Sequence, residues 1–240
     1  MPPIKNIASK VEFSVLAALI TIAGGLYGFV EMAEVARDTE PHGFDRAILL
    51  AFRAPANPAD PIGPLWAEEA VRDLTALGSA SVLIFLTAAT IFYLLLTGRR
   101  AAALFVLVAV AGGQLLSSLL KLGVDRPRPD LVPHLAEVYT LSFPSGHAML
   151  SAVTYLTLGA LAARVAPNRA TGIYLLSLAI LATFLVGASR VYLGVHWPSD
   201  VLAGWCAGAA WAMLCWLVAQ WVLSRRRALM DLSEEQKLGD

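Results

Sequence analysis

Six stretches of nearly unbroken apolar sequence, at about residues 13–30, 78–97, 101–122, 147–164, 171–189 and 201–223, limit what this chain can become. Each approaches the roughly 20 residues that carry an α-helix across the hydrocarbon core of a bilayer. Lipid offers no water to backbone N–H and C=O groups, so such a run satisfies them internally as a helix. The expected architecture is all-α: a polytopic membrane protein with about six transmembrane helices, forming one membrane domain over residues 1–240. Hydrophobic residues make up 58% of the chain and charged residues 15%, where a soluble domain carries about a quarter charged. A formal net charge of zero supplies no basic field for nucleic acid. The bilayer is the expected partner.

The first run follows Lys5 and Lys10, as in a signal peptide, but it is long for one. Glu31-Met32-Ala33-Glu34 then takes the place of a small-x-small cleavage site, so a retained first helix is expected. With the N-terminus cytoplasmic, the inner segments hold Lys5, Lys10, Arg99, Arg100, Arg164, Arg169, Arg225, Arg226, Arg227 and Lys237, and the charges in the short inner loops between spans, Arg99, Arg100, Arg164 and Arg169, are basic. That asymmetry places both termini, including the tail 224–240, in the cytoplasm. The outer loop 31–76 is the longest connection. Within it, Phe44–Arg53 ("FDRAILLAFR") brackets apolar residues with charge and reads as a short helix on the membrane surface. Pro55, Pro58, Pro61 and Pro64 then interrupt regular structure. Small residues at Ala111-Gly112-Gly113 and at Gly204 and Gly208 allow close helix contact. The two cysteines, Cys206 and Cys215, lie in one apolar run and read as packing residues.

Three polar clusters interrupt this pattern. The first, "KLGVDRPRPD" (Lys121–Asp130), closes the third run with Lys121, Arg126 and Arg128, while Pro127 and Pro129 stop the helix. Taken alone, these cations also fit the role of interfacial anchors. The second, "SFPSGHAML" (Ser142–Leu150), opens the fourth run. Ser145 suits an N-cap, Gly146 lets a ligand approach the backbone, and the first free N–H groups of a helix attract anions. His147 falls in that first turn, where it can donate a proton near neutral pH. The third, "SRVYLGVHWPSD" (Ser189–Asp200), ends the fifth run with Arg190 and leads into the sixth through His196 and Asp200. Four residues apart, these two share a helix face. An aspartate on one ring nitrogen leaves the other free as nucleophile or base. A loop salt bridge between Arg190 and Asp200 is the plainer alternative.

Counting spans puts all three clusters on one side of the membrane. Ionisable residues at membrane depth are costly and mark function. Lys121-x6-Arg128-Pro129, Pro144-Ser145-Gly146-His147 and Ser189-Arg190-x5-His196-x3-Asp200 resemble the three-part signature of the type 2 phosphatidic acid phosphatase superfamily, which vanadium haloperoxidases and glucose-6-phosphatases share. The six-span layout is similar to its bacterial membrane lipid phosphatases. The resemblance covers a motif core at 121–200. It implies that His196 attacks phosphorus and forms a phosphohistidine, that Asp200 orients it, and that His147 protonates the leaving group. It implies phosphate contacts from Lys121, Arg128, Arg190, Ser145, Ser189 and the Gly146 N–H. It implies no cofactor and no metal. The implied substrate is a membrane lipid phosphate, met at the outer face of an inner membrane: phosphatidylglycerophosphate, phosphatidate, a polyprenyl diphosphate or a lipid A phosphate. A phospho-headgroup transferase on the same site and a non-catalytic anion transporter are the alternatives. Arg126 lies off the motif, as a substrate contact or an anchor. The stretch Asp73–Gly78 carries no chemical role.

Overall fold

The computed structural model describes the backbone of residues 4–38, 40–138 and 140–239 and the side chains of 15–38, 40–138 and 140–225. The side chains of Lys5, Lys10, Arg226, Arg227 and Lys237, used above for orientation, lie outside the described residues. Five long apolar helices are α1 (Ile4–Arg37), α5 (Arg100–Lys121), α6 (Gly146–Arg164), α7 (Arg169–Tyr192) and α8 (Pro198–Gly239). Their outward faces expose large apolar side chains such as Ile20, Leu104 and Ile173, as lipid contact requires. The sixth crossing is a broken one: α3 (Leu65–Ala76) meets α4 (Ala80–Leu96) at a bend of 46°. The elbow is pinned by the Tyr155 hydroxyl, which donates to the Leu77 carbonyl at 2.7 Å.

The connection over residues 40–76 is more ordered than its prolines suggest. The short helix expected over Phe44–Arg53 is α2 (Gly43–Ala51), but it does more than lie on the surface, because its Asp45 and Leu49 are fully buried. Arg53 instead begins a two-stranded antiparallel ladder, β1 (Arg53–Ala54) with β2 (Asn57–Pro61). β2 has one hydrogen-bonded neighbour, so Pro58 and Pro61 are tolerated. α3 was not expected from the sequence. Its Ala, Glu and Leu residues are good helix formers, and Pro64 stands just before the first turn, where a missing N–H costs nothing.

α8 organises the bundle by packing against α1, α2, α5, α6 and α7. The approach to α6 depends on glycine. A Cβ on Gly204 would lie 2.7 Å from the Ser145 carbonyl oxygen and 3.0 Å from the Met149 nitrogen. One on Gly208 would lie 2.6 Å from the Met149 carbonyl oxygen. On α5, Gly112 faces Trp211 and Gly113 faces Val153 at comparable range, so both small-residue pairs read from the sequence sit at helix contacts. Cys206 likewise packs against Gly25 and Gly28 of α1 and is a free thiol. Gly204→Ala is expected to force α6 from α8 and to cost about 1–3 kcal/mol, read as a lower melting temperature in detergent. Gly24→Ala, with nothing within 4 Å of the new methyl, is expected to melt no lower than the parent.

Candidate active site

The C-terminal ends of α5 and α7 and the N-terminal ends of α6 and α8 bring the three clusters together. Lys121 terminates α5, and its ammonium donates to the carbonyls of Leu141 and Pro144, each at 3.0 Å. Arg128 leaves the following loop. Its Nη1 donates to the Val195 carbonyl at 2.6 Å and lies 3.2 Å from His196 Nε2, while its Nε donates to the Thr140 carbonyl at 2.8 Å. Arg190 ends α7, buried to 4% exposure; its Nη1 donates to Thr75 Oγ1 at 3.1 Å and its Nε has no partner. His147, in the first turn of α6, lies within electrostatic range of Arg190, His196, Arg128 and Lys121. Its ring also borders the elbow: Cδ2 lies 3.3 Å from where a Cβ on Gly78 would sit.

His196 is 2% exposed, and its Nδ1 faces Asp200 Oδ2 at 3.4 Å and Ser142 Oγ at 3.3 Å. A carboxylate only accepts, so Nδ1 carries the proton and the Nε2 lone pair faces the Arg128 N–H. Burial pushes this imidazole down to about 4, against the pull of Asp200 and with Arg128 and Arg190 adding to the lowering. The ring is therefore neutral at pH 7 and its lone pair is available. Burial also lowers the Arg128 guanidinium, opposed by Asp200.

Asp200 is fully enclosed. Its Oδ2 accepts from the Ser142 hydroxyl and, at 2.9 Å, from the Trp197 N–H; its Oδ1 accepts from Arg126 Nη1 at 2.7 Å. The alternative pairing of Asp200 with Arg190 is thus not the one formed. Arg126 is 4% exposed and lies over the Trp197 ring, 5.5 Å from its centroid, a buried bridge rather than a membrane anchor.

The remaining motif residues divide. Gly146 sits beside Lys121, 3.6 Å separating an added Cβ from Cε. The Ser145 N–H is taken by the Asp200 carbonyl at 3.0 Å, but its buried hydroxyl has no partner and does not cap α6. The first-turn N–H groups of α6 thus have no side-chain cap. Ser189 turns back on its own helix, donating to the Val186 carbonyl at 2.6 Å, so its proton is not free for a ligand. Sequence reasoning missed Ser142, Thr75 and Asp45. Asp45 carried a signal: it shares one face of α2 with the buried Leu49, an acid on an apolar stripe. Ser142 and Thr75 carried none.

A cavity of about 460 Å³ opens beside these groups, lined by Lys121, Arg126, Arg128, Thr140 and the apolar Leu122 and Leu141. Leu122 is 83% exposed at the helix end, so the cavity is bordered by an exposed apolar side chain.

A family model for the PAP2 superfamily matches residues 101–224. Phosphatidylglycerophosphatase B of Bacillus subtilis is 33% identical over 150 residues, spanning 60% of this chain and 70% of that protein. Lipid A 1-phosphatase of Rhizobium etli is 29% identical over 193 residues, spanning 71% of this chain and 78% of that protein. The crystal structure of a transmembrane PAP2-type phosphatidylglycerolphosphate phosphatase from Bacillus subtilis shares the fold with a TM-score of 0.73 and 28% identity, covering 84% of this chain and 96% of that one. Together with the six crossings and the polar centre at one end of the bundle, these likenesses place the chain in the PAP2 superfamily, as a membrane-spanning phosphatase.

Proposed function

We propose that the protein removes phosphate from a membrane lipid through a phosphohistidine at His196. The reading rests on one observation above all. The bundle gathers a neutral histidine whose Nε2 lone pair faces Arg128, a second histidine and three cations into one centre. The Nε2 lone pair forms a bond to phosphorus as the bond to the lipid oxygen breaks, and His147, protonated opposite the bound phosphate dianion, supplies that oxygen with a proton. Neutral His147 then takes a proton from water. The water oxygen bonds to phosphorus, and the P–N pair returns to Nε2. Asp200 holds the Nδ1 proton throughout and stabilises the positive ring of the intermediate.

Phosphoryl transfer asks chiefly for positioning and charge neutralisation. Lys121, Arg128 and Arg190 supply fixed positive charge for the equatorial oxygens, and the uncapped start of α6, the Gly146 N–H and the unpartnered Ser145 hydroxyl add donors. Ser189 holds the end of α7 rather than the phosphate. Arg128 rests on the nucleophile's lone pair at 3.2 Å. An incoming phosphate draws that N–H onto its own oxygen and frees Nε2.

The apolar mouth at Leu122 and Leu141 supports a substrate whose phosphate is presented from the bilayer: phosphatidylglycerophosphate, phosphatidate, a polyprenyl diphosphate or a lipid A phosphate. Inside-facing termini, an outer-face site in the inner membrane and a single membrane domain complete the reading. The test is phosphate release by the detergent-purified protein, with chelator present, from each of these lipids and from glycerol 3-phosphate. At least one lipid is expected to be turned over with kcat/KM well above that for glycerol 3-phosphate. Preference for the soluble ester over every lipid would contradict the proposal.

A further inference from the structure

We infer that Asp45, on the outer helix α2, is a positioning residue for the nucleophile, acting on Asp200 through Arg126 and Ser199. The inference rests on the reading of His196 as nucleophile. Asp45 is separated by 154 positions from Ser199, yet its fully buried carboxylate makes three contacts there and at Arg126. Oδ1 accepts from the Ser199 N–H at 2.8 Å; Oδ2 accepts from the Ser199 hydroxyl at 2.6 Å and from Arg126 Nη2 at 2.8 Å. Arg126 passes the connection on, donating through Nη1 to Ser199 Oγ and Asp200 Oδ1, each at 2.7 Å. Asp200 Oδ2, which also accepts from Ser142 and the Trp197 N–H, faces His196 Nδ1.

Two consequences follow from this chain of alternating charge. One is geometric. The Ser199 N–H belongs to the first turn of α8, which also carries Asp200. Asp45 therefore ties down that turn from outside, by taking both the N–H and the hydroxyl of Ser199. The other is electrostatic. Arg126 alone would cancel the charge of Asp200, and the imidazole would gain its positive charge opposite a neutral pair. With Asp45 on the far side of the guanidinium, the trio carries one net negative charge, which remains to stabilise the ring as phosphorus bonds to Nε2. Buried ion chains of this kind act through a low local dielectric, and partners behind a reacting group tune it strongly.

The experiment compares the full-length chain with Asp45→Asn, Asp45→Glu, Ser199→Ala and His196→Ala, using the burst of nitrophenolate from p-nitrophenyl phosphate. That leaving group departs without a proton, so the burst reports attack at phosphorus. Asp45→Asn is expected to slow the burst and kcat by about 10–100-fold with KM little changed, and Asp45→Glu to restore most of the loss. Wild-type burst and kcat in Asp45→Asn, beside an inactive His196→Ala, would overturn the inference and leave the nucleophile standing. Activity in His196→Ala would remove the nucleophile itself. If Asp45→Asn does not fold, Ser199→Ala decides: it keeps every charge and cuts the hydroxyl link. A slower burst at unchanged KM supports the inference, and wild-type kinetics overturn it.

Discussion

Replacing His196 by alanine is expected to lower turnover by about 10⁴-fold or more, the scale seen when a covalent nucleophile is lost. The protein should stay folded, because the ring's polar partners survive without it. Asp200 keeps Arg126, Ser142 and the Trp197 N–H, and Arg128 keeps the Val195 and Thr140 carbonyls. The phosphate subsite should survive too, since Lys121, Arg190 and the start of α6 are untouched. The variant is thus expected to bind inorganic phosphate while failing to turn over. His147→Ala should behave differently, retaining phosphorylation by p-nitrophenyl phosphate but losing hydrolysis of an alkyl ester, whose oxygen needs a proton to depart. Turnover in His196→Ala within tenfold of the parent would remove the ring from the mechanism.

The second large effect is on stability. Arg126→Ala leaves the carboxylates of Asp45 and Asp200 buried on either side of an empty space, each deprived of a contact of 2.8 or 2.7 Å. Removing one member of a buried ion chain typically costs about 3–5 kcal/mol, chiefly through the charge left behind. For a chain of this size that is a fall in melting temperature on the order of 10 °C, followed by the fluorescence of Trp197 and its neighbours. Neutralising Asp45 in the same chain, as Asp45→Asn with Arg126→Ala, should recover part of the loss, because the remaining Asp200 no longer faces a second unpaired charge. Melting of Arg126→Ala at the parent temperature would show that the guanidinium does not hold the two acids.

These two cases separate what was legible in the sequence from what was not. Hydropathy and length fix the number of crossings, and the parity of crossings puts Lys121, His147, Arg190 and His196 on one side without any knowledge of helix order. Which helices are neighbours is not written in hydropathy. It depends on Gly204, Gly208, Gly112 and Gly113 meeting particular partners, and the sequence shows only that small residues are present. The broken crossing at Leu77–Ser79 was hidden for a related reason. The polar α3 precedes the apolar α4, so an apolar window finds only the second half, and the roles of Thr75 and Gly78 beside the site went unseen. Ser189 shows the reverse case. A hydroxyl that matches a signature position can still be spent on its own helix, because a serine in a helix readily donates to a preceding carbonyl. Arg126 could be read as an anchor or a ligand contact because its two acid partners lie far away in sequence. Only the fold brings Asp45 to the start of α8.

The most direct measurement is to identify the atom that carries phosphate during turnover. The protein is mixed with labelled substrate, denatured in alkali, where a phosphorus–nitrogen bond on histidine survives, and its peptides are mapped by mass spectrometry. The account predicts close to one phosphate per chain, on His196, formed faster than turnover and absent in His196→Ala. Phosphate on another residue, or continued turnover through a chain that never becomes labelled, would contradict it.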